Sequence, residues 1–239
     1  MQVIKLCKFY LRVLWEINMC ICIKKIKSVF KRKNEKINGT GNVVNIDKKI
    51  NYFIKVDGNN NFVDITSKVT VEPQNLRINI KGNNNKIIIK DLRTANNLNI
   101  DMGNFIGVDN AEIEILDNFA CVQVNILAFQ SDTPIKIGAN CLFSKGVCIR
   151  TGERPHAIYD MNTLENLDKS DGVYIGNHVW IGENVFIMKR GKISDNSIVG
   201  AMSVVTKKFD EEHVVIAGNP AKICKRNVMW AESVNNIPK

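Results

Sequence analysis

The sequence predicts an all-β parallel β-helix built on six-residue repeats, and two observations carry that reading. The first is a register: Ile175, Ile181, Ile187, Ile193, Val199 and Val205 lie six apart without a break, and Ile137, Phe143 and Ile149 keep the same spacing upstream. The second is a longer repeat. Ile54-Lys-Val-Asp-Gly-Asn-Asn-Asn61 returns as Ile78-Asn-Ile-Lys-Gly-Asn-Asn-Asn85, offset by 24 residues, a multiple of six.

A six-residue period matches neither the helical period of about 3.6 nor the strand period of about 2. It requires one flat face per six residues, which a triangular coil supplies. One aliphatic residue per face points inward and stacks on its counterpart one coil later. Small residues after it (Gly176, Gly182, Ser194, Gly200) let the chain turn, and Val179, Val185, Gly191, Ser197 and Ser203 fill the position four on. Stacking then buries a continuous aliphatic column, and each coil supplies the backbone partners of the next.

Three segments follow: a basic amphipathic helix over residues 1–36, the β-helix over 37–206 with an active-site loop at 150–174, and a C-terminal capping segment over 207–239. In residues 1–36, ten Lys or Arg face only Glu16 and Glu35, so this segment holds +8 of the formal net charge of +9. Lys5, Lys8, Arg12 and Glu16 interrupt its apolar residues every three or four positions. That pattern suits an amphipathic helix and excludes a membrane span or a cleavable signal. Such a helix lies on the anionic inner membrane face, helped by Lys24, Lys25, Lys27, Lys31, Arg32 and Lys33, or it packs on the body or in an oligomer.

The rest of the chain is close to neutral, which argues against a nucleic-acid-binding body. The seven cysteines are an odd number without CxxC pairs or a matching histidine set. They indicate neither a disulfide framework nor a zinc site, and they read as reduced, small apolar residues of a cytoplasmic protein.

Between Ile149 and Ile175 the spacing is 26, so the register slips and a loop leaves the coil. Arg150-Thr-Gly-Glu-Arg-Pro-His156-Ala-Ile-Tyr-Asp160 is polar, with turn residues at Gly152 and Pro155. Neutral imidazole suits removal of a hydroxyl proton near neutral pH, and Asp160 or Glu153 is the local group to orient it. The bland alternative is a loop histidine without a task. His178, on a coil, points outward, and His213, after the last coil, is structural or solvated.

The segment Val173-Tyr-Ile-Gly-Asn-His-Val-Trp-Ile-Gly through Ile-Ala-Gly-Asn-Pro-Ala-Lys222 resembles the hexapeptide-repeat acyltransferases, above all their polysaccharide and sugar O-acetyltransferases. The similarity is specific over residues 115–226 and looser over 37–114. It implies a left-handed parallel β-helix, a homotrimer, and acetyl-CoA as co-substrate in the groove between subunits, with no metal. His156 matches the family's catalytic histidine. Asp160 matches an aspartate four residues after it, whereas the acidic residue usual two before it stands here three before, as Glu153.

The resemblance further implies that Trp180 lines the acceptor and acyl site, and that the N–H of Glu183, just past Gly182, donates to the thioester oxyanion. Gly200 and Ala201 would admit the pantetheine, Thr206 and Lys207 would meet the phosphates, Pro220 would lie beside the adenine, and Lys222 and Lys225 would add charge. Asn125, with Asp132, takes the place of the acceptor-contacting asparagine of the galactoside branch.

The expected activity is therefore O-acetylation of a bacterial surface polysaccharide, capsule or lipopolysaccharide, or of its precursor. The alternative is N-acetylation of an amino-sugar nucleotide or an antibiotic on the same scaffold. A zinc hydratase needs three converging histidines, and His156, His178 and His213 fall in a loop, on a coil and beyond the last coil. A non-enzymatic scaffold is the remaining class.

Overall fold

The computed structural model describes residues 33–68, 74–103, 106–153 and 155–233. The expected helix over residues 1–32 lies outside them. The strands of the N-terminal coils are β1 (Lys33–Asn38), β2 (Val43–Ile46), β3 (Asn51–Asp57), β4 (Phe62–Ile65), β5 (Gln74–Lys81) and β6 (Lys86–Ile89). The middle coils comprise β7 (Leu92–Met102), β8 (Glu112–Ile115), β9 (Phe119–Ala128), β10 (Pro134–Ile137), β11 (Leu142–Arg150) and β12 (Val173–Ile175). The chain then makes β13 (Trp180–Ile181), β14 (Phe186–Ile187), β15 (Lys192–Ile193), β16 (Ile198–Val199), β17 (Val204–Val205), β18 (Lys208–Phe209), β19 (Val215–Gly218) and β20 (Ala221–Lys225).

Alternate strands stack into two parallel sheets. One runs β1-β3-β5-β7-β9-β11-β13-β16-β19-β20, and the other β2-β4-β6-β8-β10-β12-β15-β18. The long β11 pairs with β13 along its first half and with β14 along its second, so the C-terminal coils have three faces. This is the parallel β-solenoid that the repeats demand. Ile175 stacks over Ile193, Ile181 over Val199 and Ile187 over Val205, each at most 4% exposed. Each such side chain contributes about 1.5–3 kcal/mol by leaving water. Within the core, Phe119 meets Phe143 edge-on at 5.0 Å.

The 24-residue repeat has its own explanation. Ile54 pairs with Ile78 across β3 and β5, and the Gly-Asn-Asn-Asn tails stack at one corner. Gly58 and Gly82 adopt φ of 149° and 123°, and a Cβ on Gly82 would fall 1.9 Å from the Val108 carbonyl oxygen. The next asparagine builds an outer ladder, with the Asn59 N–H donating to Asn83 Oδ1 at 2.9 Å and the Asn83 N–H to Asp109 Oδ1 at 2.7 Å. The following one is left-handed: Asn60, Asn84, Asn110 and Asp132 have φ of 55–58°, a conformation asparagine and aspartate tolerate better than most residues. The last is an inner ladder in which buried Asn85 joins Asn61, the Val108 carbonyl and the Ala111 N–H.

Several expected boundaries move. Residues 33–36 belong to β1, because their backbone pairs with the next coil and not into a helix. The solenoid passes residue 206: β18 pairs with β15 and β19 with β16, and the antiparallel β19–β20 hairpin closes the end. The loop is confined to 151–172, since Arg150 ends β11 and Val173 starts β12. Its excursion shows directly in the register. Ile137 pairs with Ile175, 38 positions on, against 18 in the coils that follow. Among the described residues no helix is long and apolar enough to cross a membrane.

Candidate active site

Loop 151–172 is pinned at both roots by cations of the coils. At its start, Arg150 Nε donates to the Gly152 carbonyl at 3.0 Å, its Nη2 meets Glu153 Oε2 at 3.0 Å, and its guanidinium stands 6.0 Å over the Phe129 ring. At its end, Lys189 forms an ion pair with buried Asp168, while Arg190 donates to the carbonyls of Lys169 at 2.7 Å and Leu167 at 3.3 Å. A small hairpin lies between: Tyr159 and Asn166 bridge, and the Leu167 N–H donates to Ile158 at 2.8 Å.

His156 sits on the exposed arm of this loop, its backbone N–H donating to the Glu153 carbonyl at 3.2 Å. Neither expected carboxylate is turned to its ring. Glu153 is taken by Arg150. Asp160, expected to orient the imidazole, instead caps the hairpin: its Oδ1 accepts the N–H groups of Asn162 and Thr163, both at 2.8 Å. These donors, Thr163 first, hold the Asp160 carboxyl below its ordinary value.

Trp180 opens β13 and is 39% exposed, its Nε1 donating to Ser144 Oγ at 3.4 Å. A neighbour not anticipated from the sequence lies beside it. The Trp230 ring is 6.2 Å from Trp180 and stacks on His178 at 4.3 Å and 12°, and its Nε1 donates to the His178 carbonyl at 2.8 Å. His178, expected to point outward, is therefore covered. It occupies a left-handed corner (φ 51°), and its Nδ1 lies 3.1 Å from Asn196 Oδ1. Glu232 continues the strap, gripping Arg93 with both carboxylate oxygens at 2.6 and 2.9 Å. A tryptophan in a polar tail was the available signal for this contact. His213 is exposed, at another left-handed corner, and its carbonyl accepts the Val228 N–H at 3.0 Å.

The small residues expected to admit pantetheine have a packing reason as well. A Cβ on Gly182 would stand 2.7 Å from the Ala201 nitrogen, and one on Gly200 would stand 3.1 Å from the Ala217 Cβ. Ala201 and Glu183 are exposed at the same corner, where the Glu183 carbonyl accepts the Met202 N–H at 2.8 Å.

Lys207 and Lys222 share a hollow of about 610 Å³ at the C-terminal end, with Lys208, Phe209, Asp210, Glu211, Ile223 and Arg226 on its wall. Lys208 is paired with Asp171 and Arg226 with Glu211. Among the described residues Lys207 and Lys222 have no carboxylate partner; Lys207 stands 5.4 Å over the Phe209 ring. Thr206, Pro220 and Lys225 are exposed nearby in sequence, outside the lining of this hollow.

Asn125 and Asp132 occupy different surfaces. Asn125 faces outward on β9 and accepts from Asn99 Nδ2 at 3.0 Å, whereas Asp132 accepts from Asn110 Nδ2 at 2.9 Å in the corner ladder. The ladder explains Asp132 without a ligand.

No protein-family model matches the chain. It is 33% identical over 191 residues to a polysialic acid O-acetyltransferase of Neisseria meningitidis, covering 76% of this chain and 80% of that protein. A polysialic acid O-acetyltransferase of Escherichia coli O1:K1 is 32% identical over 99 residues, 41% of this chain, and the match spans only 32% of that relative. The crystallographic structure of the polysialic acid O-acetyltransferase OatWY superposes with a TM-score of 0.73 at 29% identity, covering 87% of this chain and 95% of the other. The chain belongs to the hexapeptide-repeat acetyltransferases, in the family of the polysialic acid O-acetyltransferases. It is an O-acetyltransferase that uses acetyl-CoA.

Proposed function

We propose that this protein transfers acetyl from acetyl-CoA to a hydroxyl of an acidic capsular polysaccharide, with His156 as general base. The observation that carries the reading is the match to the Neisseria meningitidis enzyme over four-fifths of its length. The site supports it: an exposed imidazole stands on a loop whose two roots are held by Arg150, Lys189 and Arg190. In the reaction, neutral imidazole accepts the acceptor hydroxyl proton as that oxygen attacks the thioester carbonyl. The Glu183 N–H donates to the oxyanion, and the imidazolium returns the proton to the departing CoA thiolate.

Lys207 and Lys222, the two cations of the C-terminal hollow without carboxylate partners, receive the CoA phosphates. The working unit is a homotrimer with CoA between subunits, and the enzyme is cytoplasmic, touching the inner membrane face through residues 1–32. The basic, amphipathic sequence of that segment supports the last point.

The test is transfer from labelled acetyl-CoA to polysialic acid by the wild type and by His156→Ala. An alkali-labile ester is expected, with kcat reduced roughly 10²–10⁴-fold in the variant. Acetylation of amines alone would replace this reading by N-acetylation. An undiminished variant would remove His156 as base.

A further inference from the structure

Parallel register converts sequence positions into columns. On the outward face of the larger sheet, Phe53, Arg77, Asn99, Asn125 and Cys148 stack in one column. Lys55, Asn79, Asp101, Leu127 and Arg150 stack in the next. The residues between them, such as Ile54, Ile78, Ile100 and Ile126, are buried, so both columns face away from the core.

At the N-terminal end the stripe opens into a hollow of about 280 Å³ lined by Phe53, Lys55, Asp57, Arg77, Asn79 and Lys81. Three cations stand there against one carboxylate. The Arg77 guanidinium lies 5.1 Å over the Phe53 ring, which holds its planar fork in place. Midway, Asn99 Nδ2 donates to Asn125 Oδ1, leaving the Asn125 Nδ2 donors and the Asn99 Oδ1 acceptor for sugar hydroxyls. At the far end the stripe reaches Arg150, the root of the loop that carries His156. From β3 to β11 there are four ladder steps, about 19 Å at roughly 4.8 Å each.

We propose that this stripe is a remote acceptor subsite, on which an extended segment of the acidic polysaccharide lies while a distant sugar is acetylated. Resting on the acceptor class proposed above, it assigns Lys55 and Arg77 to sugar carboxylates, Phe53 to an apolar sugar face, and Asn99 and Asn125 to hydroxyls. A guanidinium that is stacked and free to bind a carboxylate bidentately is suited to this chemistry. A single sugar at His156 cannot reach the hollow, so the subsite acts only on long acceptors.

The test is the exposed double variant Lys55→Gln/Arg77→Gln, assayed with long polysialic acid chains and with the sialic acid trimer. KM for long chains is expected to rise about tenfold, the loss of one to two charge-assisted contacts. Kinetics on the trimer and KM for acetyl-CoA stay as in the wild type. The wild-type KM for long chains rises with salt, and the variant's much less. An unchanged long-chain KM, or an equal loss on long and short acceptors, would overturn the subsite.

Direct binding of long polysialic acid without acetyl-CoA separates this proposal from the acetylation reading. Wild type is expected to bind about tenfold more tightly than the variant, and equal binding sinks the subsite even if transfer occurs. A binding difference without transfer to any hydroxyl would leave the subsite standing and remove the proposed reaction.

Discussion

Replacing Asp168 by Asn removes the carboxylate that meets Lys189 at the end of loop 151–172. The Asp168 side chain is 6% exposed and that of Lys189 19%, so the ammonium recovers little solvent when its partner is lost. Removing one member of a buried pair costs about 3–5 kcal/mol. The asparagine oxygen still accepts a hydrogen bond and Lys189 keeps some water, which lowers the cost here to about 2 kcal/mol. Because the pair joins the loop to the β14–β15 turn and touches no core column, the cost falls on docking of residues 165–172. At about 1.4 kcal/mol per decade, that segment opens roughly thirtyfold more often. Amide exchange at Leu167, whose N–H donates to Ile158, is the direct readout. The expected result is roughly thirtyfold faster exchange there, a lower kcat and an unchanged KM for acetyl-CoA. Asp168→Leu with Lys189→Met should restore most of the protection, since an apolar pair leaves no buried charge. Unchanged exchange at Leu167, or a loss of protection spread through the solenoid, would refute the clamp.

Asn85→Ala strands the Val108 carbonyl and the Ala111 N–H, and denaturant unfolding should show a loss of about 2–4 kcal/mol, carried by the N-terminal coils. Asp160 titrates below its ordinary value because the Thr163 and Asn162 N–H groups favour its ionised form. Its cap is therefore fully present above about pH 4 and lost as pH falls through the lower folded value, so the Asn162 and Thr163 amides should lose protection only below about pH 4 and be unprotected throughout in Asp160→Ala. Lys207→Gln with Lys222→Gln should raise KM for acetyl-CoA about tenfold while leaving KM for acetyl-pantetheine, which lacks the nucleotide phosphates, unchanged.

The solenoid was legible because its cause is periodic. Ile175 to Val205 recur every six residues since each face repeats every six, and no distant partner is needed to see it. The Gly-Asn-Asn-Asn repeat was visible for the same reason, although the division of its asparagines into outer ladder, left-handed corner and buried ladder appears only once coils are stacked. The loop was found from the broken register, and its bounds move only from 150–174 to 151–172. A slip of two is also what a twenty-residue insertion gives when counted modulo six. The partners of the loop were hidden because Asp168 meets Lys189 and Leu167 meets Arg190 only after the chain has gone once more around the coil. Asp160 was singled out by its short-range proximity to His156, and the Asx turn that engages its Oδ1 through the N–H groups two and three residues on was not anticipated.

The proposed acceptor stripe and cofactor corner fall on coils of two sizes. In the N-terminal coils, 24 residues separate stacked positions such as Ile54 and Ile78, and from β3 to β11 the strands of the larger sheet run seven to eleven residues. A strand that long presents several outward side chains in a row, which is the requirement for gripping an extended polymer. In the C-terminal coils the faces carry two-residue strands, and nearly every other residue is a corner. Corners leave N–H groups and small residues close to the surface, as at Gly182, Glu183 and Ala201, where a narrow thioester arm can approach the backbone. His156 is carried by the loop inserted where the long strands give way to the short ones. On the reading proposed above, the loop insertion at β11 and the coil narrowing after it belong to one arrangement, in which His156 works between the long-strand face and the short-strand corners.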